Sequence, residues 1–176
     1  MAEGVDLLKL GDEGLYFDEP CAPQVESLIV QAARLYGEAA AENCLLRAYF
    51  LAPEQLSVLV ALYRYYFYQH RMEDALLVAE RALDVTARRL HLVGGWSCIG
   101  HVALGEAAML SMGLLRFHLL ALKASAVVLL RLKRLDEAGL RLAKIAEVDE
   151  RDVLGIAPLL EIIAARQAAR AEEVSP

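Results

Sequence analysis

Matching residues recur along this chain at an interval of 34 positions, and this interval constrains the fold more than any other feature. Each matched pair occupies a segment in which apolar residues are spaced three or four apart, the spacing of one face of a helix. An internal period of this length is typical of a helix–turn–helix unit stacked on copies of itself. The matched pairs are Leu28 and Leu62, Ala41 and Ala75, and Ala48 and Ala82.

Proline and glycine divide the rest of the chain into helical segments. Pro23 suits the first turn of a helix, and Gly37 and Pro53 mark breaks, because proline disfavours helix in the residue before it. The pair Gly94-Gly95 indicates one long loop over 92–100. The chain is therefore expected to be all-α with about eight helices, at about 23–36, 38–51, 54–69, 72–91, 101–112, 113–133, 136–147 and 152–170.

A third copy of the repeat follows at a longer interval. Ala138 lies 63 positions after Ala75, so about 29 residues are inserted beyond one period, including the 92–100 loop and one additional helix. The last helix has polar residues along its length and suits the end of a stack. Asp152 is a candidate N-cap for it, although Pro158 predicts either a kink or a start at that residue.

The alanines explain how two helices of one unit pack. Antiparallel helices approach closely only where small residues face each other, whereas large residues such as Leu62 and Tyr66 fill the space to the next unit. In this respect segments 23–87 and 122–150 resemble the tetratricopeptide repeat family. The resemblance implies a right-handed array of three helix pairs, with an insertion and a C-terminal capping helix. Tyr63 and Ile145 depart from the family pattern, which prefers smaller residues there.

Domain boundaries follow from where this pattern begins and ends. Residues 1–22 have no sustained period and are expected to form an irregular leader, with Leu15, Tyr16 and Phe17 candidates to pack on the first helix. Residues 23–171 form the single predicted domain, and 172–176 a short tail.

Composition raises the question of a membrane, because 57% of the residues are apolar against roughly 45–50% in typical soluble domains. A spanning helix needs about 20 consecutive apolar residues. The best run, 117–130, contains His118 and Lys123. The N-terminus also lacks a signal-peptide pattern. We therefore expect a cytoplasmic protein whose surplus apolar surface meets a partner or a second copy.

Charge and cysteine content exclude two further classes. A net charge of −6 does not suit a nucleic-acid surface, which requires clustered Lys and Arg. The three cysteines, Cys21, Cys44 and Cys98, are odd in number and widely spaced. In a cytoplasmic protein they are expected to be reduced thiols.

Signals for catalysis or cofactors are weak. No phosphate-binding loop, zinc-protease motif or nucleophile elbow is present. Cys98 and His101, with His91 nearby, are too few for a structural zinc site, which takes four ligands. The acidic pairs Glu73-Asp74 and Asp136-Glu137 begin helices, where carboxylates favour the positive end of the dipole. The chain is therefore expected to be neither an enzyme nor a metal or cofactor protein.

The segment from Tyr63 to Arg71 carries five aromatic residues, which cannot all face one side of a helix. Some must be exposed, and aromatic and Arg residues are frequent anchors of protein interfaces. In the resembling family the first helix of each pair lines a concave groove. The matching register predicts a partner-binding surface of Arg34, Arg64, Phe67, Tyr68, Lys123, Val127, Leu130 and Arg131.

The same aromatic segment, 59–71, is similar to small tetratricopeptide-like proteins encoded among bacterial nitrogen-fixation genes. This resemblance implies an accessory factor that binds the nitrogenase molybdenum–iron protein during maturation, protection or repair. A receptor for chaperone C-termini is not indicated, since such receptors use several asparagines and this chain has only Asn43.

The leading hypothesis is therefore a non-enzymatic, chaperone-like accessory factor with a protein partner. The alternatives are a self-associating helical scaffold, a general adaptor unrelated to nitrogenase and, less favoured, an enzyme using Cys98 and His101.

Overall fold

The computed structural model describes residues 19–174, with side chains described through residue 169, and this part of the chain is helical without strands. The proposed packing of Leu15, Tyr16 and Phe17 lies outside the described residues. A short 3₁₀ helix, Trp96–Cys98, lies in the long loop. The α-helices are α1 (Pro23–Arg34), α2 (Ala39–Leu51), α3 (Leu56–Tyr68), α4 (Met72–Arg89), α5 (His101–Arg131), α6 (Leu135–Val148) and α7 (Ala157–Val174). The expected all-α class is confirmed.

Short turns join the helices into hairpins, and two of these turns are built alike. After α3, His70 has a φ of 57°, and the Arg71 N–H donates to the Tyr66 carbonyl over 2.9 Å. After α5, Lys133 has a φ of 61°, and the Arg134 N–H donates to the Leu129 carbonyl over 2.9 Å. A left-handed residue closing a helix in this way satisfies carbonyls that the helix leaves open. The α3–α4 and α5–α6 hairpins therefore share one turn geometry.

The repeated alanines lie where the helices pack. Ala41, Ala48, Ala75 and Ala138 are completely buried, and Ala82 is nearly so. Larger side chains fill the space between the hairpins. Among them Leu56, Leu59, Leu122, Leu129 and Leu142 are almost fully enclosed. Helix packing thus explains why alanine and leucine occupy the positions that recur 34 residues apart.

Enlarging one of these alanines should strain the core. We expect Ala75→Leu to lower the free energy of unfolding by about 2 kcal/mol, because three added carbons have no space at a fully enclosed site. The matched change Ala143→Leu, on the exposed side of α6, should alter stability by less than about 0.5 kcal/mol. Urea unfolding followed by circular dichroism would measure both. Equal effects of the two changes would contradict the assignment of Ala75 to a helix contact.

Where two helices were expected, at 101–112 and 113–133, the chain forms the single helix α5. The described residues therefore contain seven α-helices where about eight were expected, and the boundary expected near residue 112 falls at Ser111 inside α5. Ser111 divides α5 with an extended backbone, φ −164° and ψ 107°. Its Oγ accepts a hydrogen bond from the Leu114 N–H over 3.2 Å, as a helix N-cap does. This non-helical residue interrupts the helix, so α5 consists of two helical halves joined by a kink.

The segment between α6 and α7 is held by two aspartates. Asp149 accepts hydrogen bonds from the backbone N–H groups of Val153 and Leu154, at 3.0 and 2.7 Å. Asp152, with a φ of 50°, accepts from the Ile156 N–H at 2.6 Å. Asp152 therefore holds the approach to α7, which begins at Ala157, one residue before Pro158. The helix continues to Val174, beyond the expected end at residue 170.

By length and composition α5 could cross a membrane, and no other helix within residues 19–174 meets that test. However, 72% of its most apolar window is buried inside the protein. Its apolar second half is thus the central core helix, packed against α4 on one side and α6 on the other.

Candidate protein-binding surface

The aromatic residues of α3 divide between the core and the surface. Tyr63 and Tyr66 are buried, Tyr65 and Phe67 are half-buried, and Tyr68 is 40% exposed. The Tyr63 hydroxyl donates to the Ala124 carbonyl of α5 over 3.5 Å, and burial raises the pKa of this phenol. The division agrees with helical geometry, since residues at successive positions point about 100° apart.

Tyr66 belongs to an ion-pair network that joins α3 to α2. Its hydroxyl donates to Glu42 Oε1 over 3.1 Å, and Arg71 Nη1 donates to both Glu42 oxygens at 2.8 Å. The Arg71 guanidinium lies 4.6 Å from the Tyr66 ring centre and also pairs with Asp74. Burial and, secondarily, the Glu42 hydrogen bond raise the pKa of Tyr66 to about 12. These side chains hold the turn and are already partnered.

Phe67 connects three of the predicted binding residues. Its ring stacks on Tyr63, with centroids 5.7 Å apart, and meets the Tyr68 ring edge-on at 5.9 Å. The Arg131 guanidinium, from the end of α5, lies 5.9 Å from the Phe67 ring centre. A cation at this distance from a ring face is attracted by the negative face of the ring. The structure therefore brings Phe67, Tyr68 and Arg131 together.

Arg34 lies at the same end of the molecule. It is the last residue of α1, as Tyr68 is of α3 and Arg131 is of α5, and all three are exposed. The Tyr36 ring, just beyond α1, meets the Tyr65 ring of α3 at 6.4 Å, which brings these two helix ends together. We call Arg34, Phe67, Tyr68 and Arg131 the basic aromatic edge. Arg64 is half-buried one turn earlier in α3.

Three further predicted residues, Lys123, Val127 and Leu130, are buried, so their expected exposure in a groove is not found. Lys123 Nζ donates to the Leu154 carbonyl, because the segment between α6 and α7 covers this part of α5. Burial lowers the pKa of Lys123, while the charges of Asp152 and Asp149 oppose that shift. Residue spacing along the sequence therefore did not predict which of these positions another segment covers.

A cavity of about 30 Å³ lies between α3, α4 and α5, and its lining includes Tyr63, Val78, Ala82, Phe117 and Ala121. Its lining is apolar, and it is half-open rather than enclosed. It is therefore a small apolar hollow between three helices.

The residues considered for metal binding or catalysis lie around the start of α5, with Cys98 in the preceding loop and His101 as the first residue of the helix. Cys98 and His101 are exposed, as is His91. Among residues 19–174 no three His, Cys, Asp or Glu side chains are placed to hold a metal ion.

Sequence reasoning missed one buried polar pair. Thr86 Oγ1 and His118 Nδ1 are 2.7 Å apart, both residues are completely buried, and Thr86 also contacts the Ala82 carbonyl at 2.7 Å. A histidine inside the apolar run of α5 was the available signal. Sequence reasoning also missed a second buried polar group: Arg141 of α6 is buried against Glu80 and the Trp96 ring.

A protein of Azotobacter chroococcum mcd 1 is 46% identical to this chain over 166 residues, which cover 93% of this chain and 92% of the relative. It is described as an uncharacterized 19.8 kDa protein in the nifW 5′ region. This chain belongs to the same family. The match extends over nearly the full length of both family members. No family model matches the chain, and no solved structure matches it.

Proposed function

We propose that this protein is a non-enzymatic accessory factor of nitrogen fixation that binds another protein through the basic aromatic edge. The observation that carries the proposal is the contact of Arg131 with Phe67 and of Phe67 with Tyr68 at an exposed end of the helices. Its biological setting is suggested by the relative in the nifW 5′ region. A cytoplasmic location is part of the proposal.

The chemistry of the edge suits a partner with acidic and apolar groups. Arg34 and Arg131 carry fixed positive charges, and Tyr68 offers a ring together with a hydroxyl. Aromatic and Arg side chains contribute most of the binding energy at many interfaces, and opposite charges on the two partners accelerate association. The chain as a whole has a net charge of −6, so this edge differs in charge from the average surface.

The proposed architecture is a tetratricopeptide-like array. It is supported by the 34-residue period in the sequence and by the shared turn geometry of the α3–α4 and α5–α6 hairpins. In such an array the ends of α1, α3 and α5 form a row, which explains why Arg34, Tyr68 and Arg131 lie at matching repeat positions. A row of anchors is suited to an extended segment of the partner.

The proposed partner is the nitrogenase molybdenum–iron protein, in its mature or cofactor-free form. We expect the double change Tyr68→Ala and Arg131→Glu to weaken binding at least 100-fold, because it removes one anchor and reverses a charge beside another. Isothermal titration calorimetry with both forms of the purified molybdenum–iron protein would measure the loss.

The matched control is Phe50→Ala with Arg47→Glu, an exposed aromatic and an exposed arginine on α2. It makes the same chemical changes away from the edge and should retain wild-type affinity. Circular dichroism should show unchanged helicity for both double variants. If wild-type protein binds neither form of the molybdenum–iron protein, this partner is wrong. If it binds and the edge variant binds equally well, the edge is wrong.

A further inference from the structure

The segment that joins α6 to α7, residues 149–156, covers part of α5, and we call it the strap. Lys123 Nζ of α5 donates to the carbonyl of Leu154 in the strap. Ile156, at the end of the strap, is 2% exposed and belongs to the core. The strap therefore lies over a lysine that the sequence predicted to face a partner.

Lys123 is buried at a position where its charge costs free energy. The residue is 7% exposed, and its burial disfavours the ammonium form, so its pKa is lowered. An apolar side chain would fill the same space without this cost. Packing alone therefore does not explain why this position carries an ammonium group, whereas binding of carbonyl and carboxylate groups does explain it.

The groups that the strap offers to Lys123 indicate which ligand suits this position. They are the Leu154 carbonyl and the negative charges of Asp149 and Asp152, which favour the ammonium form. All three belong to an irregular segment, since residues 149–156 contain no helix. An acidic, irregular segment of another protein would offer the same groups to Lys123.

The strap holds its own shape, and α7 is attached elsewhere. The carboxylates of Asp149 and Asp152 accept their hydrogen bonds from backbone N–H groups of the strap and of the first residue of α7. Helix α7 packs on α6, where Ile163 is 4% exposed and lies against Gly139. The strap can therefore leave α5 while α7 stays on α6. Its departure would expose Ile156, so the closed form is the more populated one.

The covered position is continuous with the basic aromatic edge. Lys123, Val127 and Arg131 follow one another at intervals of four residues and form one stripe along α5. Arg131 belongs to the basic aromatic edge, and Lys123 lies about 12 Å from it along the helix axis. An extended segment of a partner spans this distance with about four residues.

We propose that the strap is an internal substitute for an acidic segment of the partner, and that the partner displaces it to bind Lys123. This regulation rests on the proposed function, because it extends the basic aromatic edge along α5. In the closed form only the edge is available. The apparent affinity of the wild type is therefore reduced according to the fraction of molecules in which the strap is open.

The first test measures the cover over Lys123 without any partner. Lysines are acetylated with an N-hydroxysuccinimide ester, and the rate at each residue is followed by mass spectrometry. In the wild type Lys123 should react at least about 10-fold more slowly than the exposed Lys133. Asp149→Ala together with Asp152→Ala removes the carboxylates that shape the strap. This open-strap variant should raise the rate at Lys123 at least about 10-fold.

Two further proteins separate opening of the strap from other effects. The matched control Glu150→Ala with Glu161→Ala removes two exposed carboxylates and should leave the rate at Lys123 unchanged. Ile156→Ala retains both aspartates and weakens the apolar hold of the strap, so it should expose Lys123 in the same direction as the open-strap variant. Circular dichroism should show unchanged helicity in all of these proteins.

The second test is the affinity for both forms of the purified molybdenum–iron protein, measured by isothermal titration calorimetry. The open-strap variant should bind at least about 10-fold more tightly than the wild type, because closure no longer competes with the partner. Adding Lys123→Met to the open-strap variant should remove this gain, since the acidic segment then meets no ammonium group. A strap with a purely structural role predicts neither the gain nor its dependence on Lys123.

The outcomes separate this inference from the proposed function. If the wild type binds and the open-strap variant binds no more tightly, the strap inference is wrong and the proposed function stands. If neither protein binds, the proposed partner is wrong and the strap inference falls with it. A gain that survives Lys123→Met would overturn the inference, as would wild-type Lys123 reacting as fast as Lys133.

Discussion

Lowering the pH from 7 to 4 should reduce the free energy of unfolding by about 3 kcal/mol through His118 alone. This side chain is completely buried, and burial lowers its pKa from 6.5 to about 4 in the folded protein. In the unfolded chain it regains an ordinary pKa. Between pH 6.5 and pH 4 the unfolded state therefore binds a proton that the folded state does not, and stability declines as the pH falls through this range.

The hydrogen bonds around His118 indicate which neutral form is present. If the Thr86 hydroxyl donates to the Ala82 carbonyl, then His118 Nδ1–H donates to Thr86 Oγ1, and Nε2 is left as a buried acceptor without a partner. The opposite tautomer would bury an unpaired N–H donor at Nε2. An unpaired donor is rarer in proteins than an unpaired acceptor, so we infer the Nδ1–H form.

The experiment compares urea unfolding at a series of pH values. His118→Asn keeps a donor near the Nδ1 position and cannot be protonated in this range, so its stability should fall with acid by about 3 kcal/mol less than that of wild type. The variant His91→Asn, at an exposed position, should follow the wild-type pH profile. Carboxylates titrate equally in all three proteins, so they cancel in the comparison. Parallel profiles for wild type and His118→Asn would refute the role given to this residue.

Removing Glu80 should destabilise the protein by about 2 kcal/mol, because the buried Arg141 guanidinium loses its hydrogen-bonded counter-charge and keeps only the weaker charge interaction with Glu137. Arg141 Nη2 pairs with Glu80 Oε1, and the guanidinium lies 5.1 Å from the Trp96 ring centre. Its Nε and Nη1 atoms are buried without hydrogen-bond partners among the described residues. The side chain of Arg141 is 9% exposed and that of Glu80 is 38% exposed, so the arginine bears most of the desolvation.

Replacing the arginine should have a much smaller effect than replacing its partner. Arg141→Leu removes the buried charge together with the two unpaired nitrogen atoms, and such replacements are often neutral or stabilising. We expect a change within about 1 kcal/mol in either direction for Arg141→Leu, against the larger loss for Glu80→Ala.

A double-mutant cycle tests this interpretation directly. In the Arg141→Leu background, Glu80→Ala should cost less than about 0.5 kcal/mol, since the charge that Glu80 compensates is already absent. Equal costs of Glu80→Ala in both backgrounds would show that the pair does not stabilise the fold. Trp96 fluorescence would report in the same samples whether the 91–100 loop remains packed on α6.

Along α5 some features followed from the sequence and others did not. The sequence predicted helices at about 101–112 and 113–133, and the structure has a break at Ser111 and ends α5 at Arg131. It did not predict that Ser111 would bend one continuous helix, because a single residue can cap a new helix or kink an existing one with the same local preferences. Whether the two halves stay joined across such a residue depends on what both halves pack against.

The predicted partner-binding residues were likewise placed correctly in part. Arg34, Tyr68 and Arg131 were identified from their repeat positions, and the structure places all three exposed at the ends of their helices. Lys123, Val127 and Leu130 were identified by the same reasoning and are buried. The segment between α6 and α7, about 30 residues further along the chain, covers Lys123, and residue spacing within a helix carries no information about such a distant cover.

By itself, the sequence determined the all-α class, most helix boundaries and the positions of the packing alanines. These depend on local patterns, because proline and glycine act on their immediate neighbours and the spacing of small residues marks where helices pack. Only the tertiary structure decided which face of each helix stays exposed, how Thr86 meets His118, and where Arg141 finds Glu80. Those outcomes depend on residues brought together from distant parts of the chain, because whether a side chain is buried depends on which other helices and loops pack over it.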